Sequence, residues 1–278
     1  MKFDGKAFAQ EIETKVKNKV TILAKKPRIV SVLVGDDPAS ALYTKLKKAA
    51  AERVGIQFEV IKLEITNNQV SIIKQKVLEI GGREDVTGVM VQLPLPGDSR
   101  KDTEEILSAI PLDKDVDGLR YPESDVVPPV VKAILDVISE IEKTQSSDHS
   151  PKIAQGSELG RQKYVVIGAS GFVGSATCRE LEKMGKEVIK VDSDTQNAKD
   201  LVLQGDIVIS CVGKEGVVTG DMVRDGVIAI DVGAPRGDMT NEVYQKASVS
   251  VEVPGGIGPV TISSLFRNAL ESSDRREK

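Results

Sequence analysis

Short apolar, β-branched runs alternate along the chain with longer stretches whose apolar residues recur every three or four positions. The first half reads RIVSVLV, SALYTKLKKAAAERVG, IQFEVIKL, QVSIIKQKVLEIGG and VTGVMVQL, in that order. A near-continuous apolar run suits a strand buried on both faces, and a 3.6-residue period suits a helix lying over it. The alternation predicts β-α-β units around a parallel sheet. Helical spacing from Phe3 to about Lys26 predicts a further helix packed outside that sheet. A polar stretch between Glu142 and Gln162, rich in Ser and Gly, reads as a loop or linker near a domain boundary. Beyond it the rhythm restarts with KYVVIG, a helix to about Met184, EVIKVD, a short helix, DIVISCVG, VIAIDVG and SVSVEV, which predict a second parallel sheet. The final amphipathic segment, VTISSLFRNALESSDRREK, is expected to return to the first domain.

Length and composition agree with that division. A chain of 278 residues suits two α/β domains, and 40% apolar with 29% charged residues sets disorder aside. The net charge of −4, with basic and acidic residues interleaved, leaves no positive stripe for a phosphate backbone, so no nucleic-acid partner is expected. No apolar run approaches the ~20 residues of a membrane helix. The opening MKFDGKAFAQEIE carries acids where a signal peptide is apolar, so the expected location is the cytosol, with no membrane partner. The two cysteines, Cys178 and Cys211, read as reduced, buried thiols. The one histidine, His149, sits in the polar SSDHSP and reads as a solvated loop residue, which makes histidine-based metal sites and triads hard to assemble.

Candidate chemistry begins with KYVVIGASGFVGSATCRELEKMG, where Gly168, Gly171 and Gly174 follow an apolar strand and open a helix. Such a turn admits a pyrophosphate to the backbone and presents helix N-terminal N–H groups to it. Steric needs alone also place glycines there. Position strengthens the nucleotide reading, because the next strand ends in Asp192, about the ~20 residues downstream at which an acid receives the adenosine ribose hydroxyls.

In the first half, Ser40, Tyr43 and Lys47 stand at i, i+3 and i+7 of a predicted helix and share a face, able to offer a hydroxyl, an aromatic ring and an amine to one ligand. A wet helix surface explains the lysine equally well. Gln92 ends the strand of VMVQLPLPG, either as a plain terminus or as an amide held toward a ligand. In PLDKDVDGLR the acids Asp113, Asp115 and Asp117 open like a calcium loop, but Ser124 stands where the closing glutamate belongs and Pro122 interrupts the exit helix, so calcium is rejected. Asp117 then reads either as part of a surface turn or as an acceptor for a heterocycle. The glycines of VPGGIGPVT allow backbone to approach a ligand, as a connecting loop also would.

Taken in order, ALYTKLK, VQLPLP, KDVDG, VIGASGFVG, DIVISCVGKEG, VIAIDVG and VPGGIGPVT resemble the bifunctional methylenetetrahydrofolate dehydrogenase/cyclohydrolase family along most of the chain. The resemblance implies a two-domain α/β fold. Residues 1–125 would form the substrate and catalytic domain and residues 126–256 an inserted Rossmann-like NAD(P)-binding domain. The C-terminal helix, 257–278, would complete the first, with a cleft where the domains meet. It implies oxidation of 5,10-methylenetetrahydrofolate with NAD or NADP, hydrolysis of the methenyl product to 10-formyltetrahydrofolate, a homodimer, and a place in one-carbon metabolism that feeds purine biosynthesis. By the same resemblance Lys47 is the general acid/base, Gln92 holds it, Tyr43 stacks on the folate beside Ser40, Asp117 anchors the pterin, and Pro254, Gly255 and Gly256 border the meeting point of folate and nicotinamide. The cofactor would touch Gly168, Ala169, Ser170, Gly171, Val173, Gly174, Asp192, Ser193, Cys211, Val212, Gly213, Asp231 and Gly233. NAD is expected over NADP, because Asp192 faces the 2′ position and Ala169 replaces the loop arginine of the family.

Two departures from the family pattern stand out. Its P-C-T-P signature appears as Pro128, Pro129, Val130 and Val131, and the segment from Asp117 to Pro128 is shorter than usual. The alternatives are a member with only one of the activities and a non-catalytic relative that binds folate or nucleotide. A shikimate-type dehydrogenase shares the two-domain plan but not VQLPLP.

Overall fold

In the computed structural model, which describes residues 1–64, 70–96, 100–147 and 162–276, the chain divides into two units. One comprises Ala9–Pro129 with Ile262–Lys278, the other Met1–Phe8 with Val130–Thr261. The division thus falls between Pro129 and Val130, and residues 1–8 group with the later unit. In chain order the elements are α1 (Gly5–Ile22), β1 (Arg28–Val34), α2 (Pro38–Val54), β2 (Gln57–Leu63), α3 (Val70–Gly81), β3 (Gly88–Val91), α4 (Arg100–Leu107), α5 (Pro129–Ser147), β4 (Lys163–Ile167), α6 (Phe172–Lys183), β5 (Glu187–Val191), α7 (Ala198–Val202), β6 (Ile207–Ser210), β7 (Ile228–Asp231), α8 (Asn241–Lys246), β8 (Val249–Val251) and α9 (Ile257–Arg276).

The Ala9–Pro129 unit holds a parallel three-stranded sheet in the order β2-β1-β3, with Ile29 opposite both Phe58 and Gly88. β1 and β3 are buried almost throughout, and Val30, Val32, Val89 and Val91 pack on Ile73, Val77 and Ile80 of α3 and Ile106 of α4. The C-terminal helix completes this unit. Phe266, Ala269 and Leu270 of α9 are buried, and Ser272 Oγ donates to the Asp113 carbonyl at 2.7 Å.

The Val130–Thr261 unit holds a parallel five-stranded sheet in the order β5-β4-β6-β7-β8. The order turns around at β4, whose neighbours are β5 on one side and β6 on the other. Ligands of doubly wound sheets bind at such a switch point, beyond the carboxyl ends of the strands. Gly168 follows β4 there, and Cys211 follows β6.

The stretch Glu142–Gln162 differs in part from the expected linker, because α5 runs on to Ser147. Its polar residues have folded uses. The buried Tyr164 hydroxyl donates to Glu142 Oε1 at 2.5 Å, and Lys186 Nζ donates to the same atom at 3.0 Å. The remainder of the stretch up to residue 161, including His149, lies outside the described residues. No helix of the described residues is long and apolar enough to cross a membrane.

Candidate functional site

Helix α2 carries the first group of side chains and is fixed at both ends. Asp37 accepts the Ser40 N–H at 2.7 Å as N-cap, Pro38 occupies the first turn, and Gly55 closes the helix in the left-handed conformation. On the inward face Ser40 and Lys47 are buried while Tyr43 is half-buried. Lys47 Nζ donates to Gln92 Oε1 at 3.3 Å and lies 3.6 Å from Asp117 Oδ2. The first is a long hydrogen bond, the second a close pairing of charges. The Gln92 amide is oriented by its Nε2, which donates to the Leu93 carbonyl at 2.9 Å, so that its oxygen faces Lys47. The Ser40 hydroxyl is buried, and the Ser40 N–H together with it holds the Asp37 carboxyl below its ordinary range.

Asp117 owes its position to the residues around it. Burial raises the Asp115 carboxyl above its ordinary range, and it accepts the Leu119 and Arg120 N–H groups, each at 2.9 Å. Lys114 is buried and donates to the carbonyls of Gly81 and Arg83 at 2.8 and 2.7 Å. Asn268, on α9, donates through Nδ2 to the carbonyls of Val116 and Val127, both at 3.0 Å. Of the acids that mimic a calcium loop, Asp115 therefore serves the turn. Asn268 was not found from the sequence, where it is one polar residue on an amphipathic helix.

In the other unit the glycine-rich loop is packed as a phosphate turn requires. A β-carbon at Gly174 would lie 2.0 Å from the Gly168 carbonyl oxygen, so only glycine lets α6 start so close to the loop. Gly171 and Val173 belong to the same turn, and Ala169 is buried within it. Asp192, just past β5, accepts from both the backbone N–H and the hydroxyl of Ser170 through Oδ1, at 3.0 and 2.9 Å. No donor among the described residues engages its Oδ2. Ser193 follows it in the turn, exposed. Of the cations nearby in sequence, Lys190 is paired with Glu182 at 2.7 Å.

The Asp231 carboxylate is fully buried and accepts from the N–H groups of Gly233, Asp238 and Met239 and from the Tyr244 hydroxyl. This side chain is committed to folding the chain after β7. The neighbouring Asp238, which the sequence did not single out, accepts the N–H groups of Val212, Gly213 and Lys214 at 2.8, 3.2 and 3.0 Å, and so shapes the loop after β6. Val212 and Gly213 are exposed on that loop. Cys211 is half-buried and Cys178 buried; both are free thiols. Pro254, Gly255 and Gly256 form the turn between β8 and α9, with Gly255 at φ +106°.

Known proteins resemble the chain over nearly its whole length. Residues 3–117 match the catalytic domain of tetrahydrofolate dehydrogenase/cyclohydrolase, and residues 153–277 its NAD(P)-binding domain. The bifunctional protein FolD of Cytophaga hutchinsonii is 35% identical over 292 residues, covering 97% of this chain and 98% of its own. The crystal structure of the FolD methylenetetrahydrofolate dehydrogenase/cyclohydrolase of Campylobacter jejuni superposes with a TM-score of 0.85 at 30% identity, covering 99% of each chain. That of the Trypanosoma brucei enzyme, complexed with NADP cofactor and an inhibitor, gives 0.83 at 26% identity, covering 100% of this chain and 98% of its own.

Proposed function

The chain belongs to the tetrahydrofolate dehydrogenase/cyclohydrolase family, and from that premise we propose how its residues divide the two reactions of an NAD(P)-dependent methylenetetrahydrofolate dehydrogenase and methenyltetrahydrofolate cyclohydrolase. The observation that carries the reading is the buried Lys47 amine held against Gln92 Oε1 and Asp117 Oδ2. Ser40 and Tyr43 stand on the same helix and bind the folate. Asp117 accepts from the pterin.

The residues present fit a dinucleotide. The Gly168–Gly174 turn leaves backbone open to the pyrophosphate, and Asp192 keeps one carboxylate oxygen for the ribose. A bound nicotinamide would supply the acceptor for hydride from the methylene carbon between the two folate nitrogens. Their lone pairs stabilise the resulting cation, so the chain's own contribution to this step is positioning.

Hydrolysis asks more of the protein. Water adds to the methenyl carbon, and Lys47, acting from its neutral amine form, takes the proton it loses. As the carbon–N5 bond breaks, Lys47 delivers a proton to N5 while the hydroxyl proton leaves, giving the N10-formyl product and a net release of one proton. Gln92 fixes the direction of the amine through both events.

For the cofactor we favour NAD, because Asp192 would face the 2′-phosphate of NADP and Lys190 is already paired with Glu182. A homodimer is the expected assembly.

The test is to incubate purified protein with methylenetetrahydrofolate and NAD or NADP and to follow methenyl absorbance. In Lys47→Met, methenyl product should form and persist, since only the hydrolytic step needs the amine. Wild-type hydrolysis in that variant would remove Lys47 from the mechanism.

A further inference from the structure

The start of α1 lies flush against the turn between β8 and α9. Residues 1–3 run beside β8, with Lys2 bridged in parallel to Ser250 and the Phe3 N–H donating to the Ser250 carbonyl at 2.9 Å. Lys2 Nζ pairs with Glu252 at 2.6 Å. Asp4 then caps the helix, its Oδ1 accepting the N–H groups of Lys6 and Ala7 at 3.1 and 3.0 Å. The next residue, Gly5, is buried. A β-carbon there would lie 2.0 Å from the Gly256 carbonyl oxygen and 2.5 Å from that of Gly255.

Gly256 is itself close-packed on the strand before it. A β-carbon on Gly256 would already lie 2.7 Å from both the Glu252 carbonyl oxygen and a methyl group of Val251. The helix start and the turn are therefore fitted to each other, backbone against backbone. Helix geometry does not call for glycine in the first turn, where it lowers helix stability. Close approach to the two carbonyl groups explains it.

We propose that Gly5 is a positioning residue for the Pro254–Gly256 turn, its missing side chain allowing the first turn of α1 to set the place of the Gly255 and Gly256 carbonyl groups. This rests on the reading that the turn borders the folate and the nicotinamide. A methyl group at position 5 must push the carbonyls away by about 1 Å to reach an ordinary contact, and a misplacement of that size at a reacting centre costs on the order of 10²-fold in rate. The pyrophosphate and ribose contacts at Gly168–Gly174 and Asp192 are made by other segments and should not feel it.

The experiment compares Gly5→Ala and Asp4→Ala with wild type in three measurements: dehydrogenase kcat, KM for methylenetetrahydrofolate, and the Kd of NADH from its fluorescence without folate. Gly5→Ala should lower kcat about 10²-fold and raise KM, with the Kd of NADH within about twofold of wild type. Asp4→Ala loosens the helix start without adding an atom near the turn, and should give the same pattern at about tenfold. If Gly5→Ala does not fold, as absence of a cooperative unfolding transition by circular dichroism would reveal, Asp4→Ala decides alone. Wild-type kcat and KM in the folded variants, or NADH affinity falling in step with turnover, overturns the proposal. Failure of the underlying reading looks different: Pro254→Ala, which adds no atom to the turn, would then leave turnover untouched.

Discussion

Lys47 Nζ lies 3.6 Å from Asp117 Oδ2, and both side chains are largely withdrawn from solvent. The two residues come from a helix and from a turn far along the chain, and the family resemblance implies a separate task for each. In the proposed mechanism their proximity couples substrate binding to proton transfer.

Asp117→Asn keeps the shape and removes the charge. A hydrogen bond to a charged acceptor contributes about 1.5–3 kcal/mol, so KM for folate should rise by at least about tenfold. Because Lys47 loses its charged neighbour as well, cyclohydrolase turnover should fall more than dehydrogenase turnover. Equal losses in the two activities would show that the carboxylate serves binding alone.

Asp192→Ser removes the carboxylate that accepts from Ser170. Wild type should show the higher kcat/KM with NAD, and the substitution should move the ratio toward NADP by relieving repulsion of the 2′-phosphate. A wild-type preference for NADP, or an unmoved ratio, would show that Asp192 does not choose the cofactor.

Asn268→Leu leaves the buried carbonyls of Val116 and Val127 without this donor. The expected loss is about 2–4 kcal/mol of stability, read from urea unfolding midpoints. Since Val116 adjoins Asp117, the folded fraction should also bind folate more weakly while keeping its affinity for NADH. Unchanged midpoints would mean that the clamp is not needed.

Burial pushes the Cys178 thiol up to about 11 and raises Cys211 further. The unfolded chain titrates its thiols near the ordinary value of about 8.5. A raised folded-state value means that the fold holds the proton longer, so these thiols leave stability unchanged below about pH 8 and reduce it as pH rises from there toward 11. Unfolding midpoints should therefore be lower at pH 10 than at pH 8, with a smaller drop in Cys178→Ala. An equal drop in that variant would place the alkaline sensitivity elsewhere.

The sequence by itself determined what depends on neighbours a few positions apart. RIVSVLV is β1 residue for residue, QVSIIKQKVLEIGG contains α3, and the glycine-rich turn with its downstream acid stands at the switch point of the second sheet. Those signals are periodic or contiguous, and backbone geometry reads them locally. The polar end of α5 went unread because its partners, Tyr164 and Lys186, lie on the other side of the linker. The commitment of Asp231 to its own loop, the hold of Asp238 on residues 212–214, the clamp by Asn268 and the fit of Gly5 to the Gly255–Gly256 carbonyls were decided by the tertiary structure alone. Each joins segments whose spacing along the chain carries no period. What a carboxylate or a glycine does there depends on which backbone groups packing brings within about 3 Å of it.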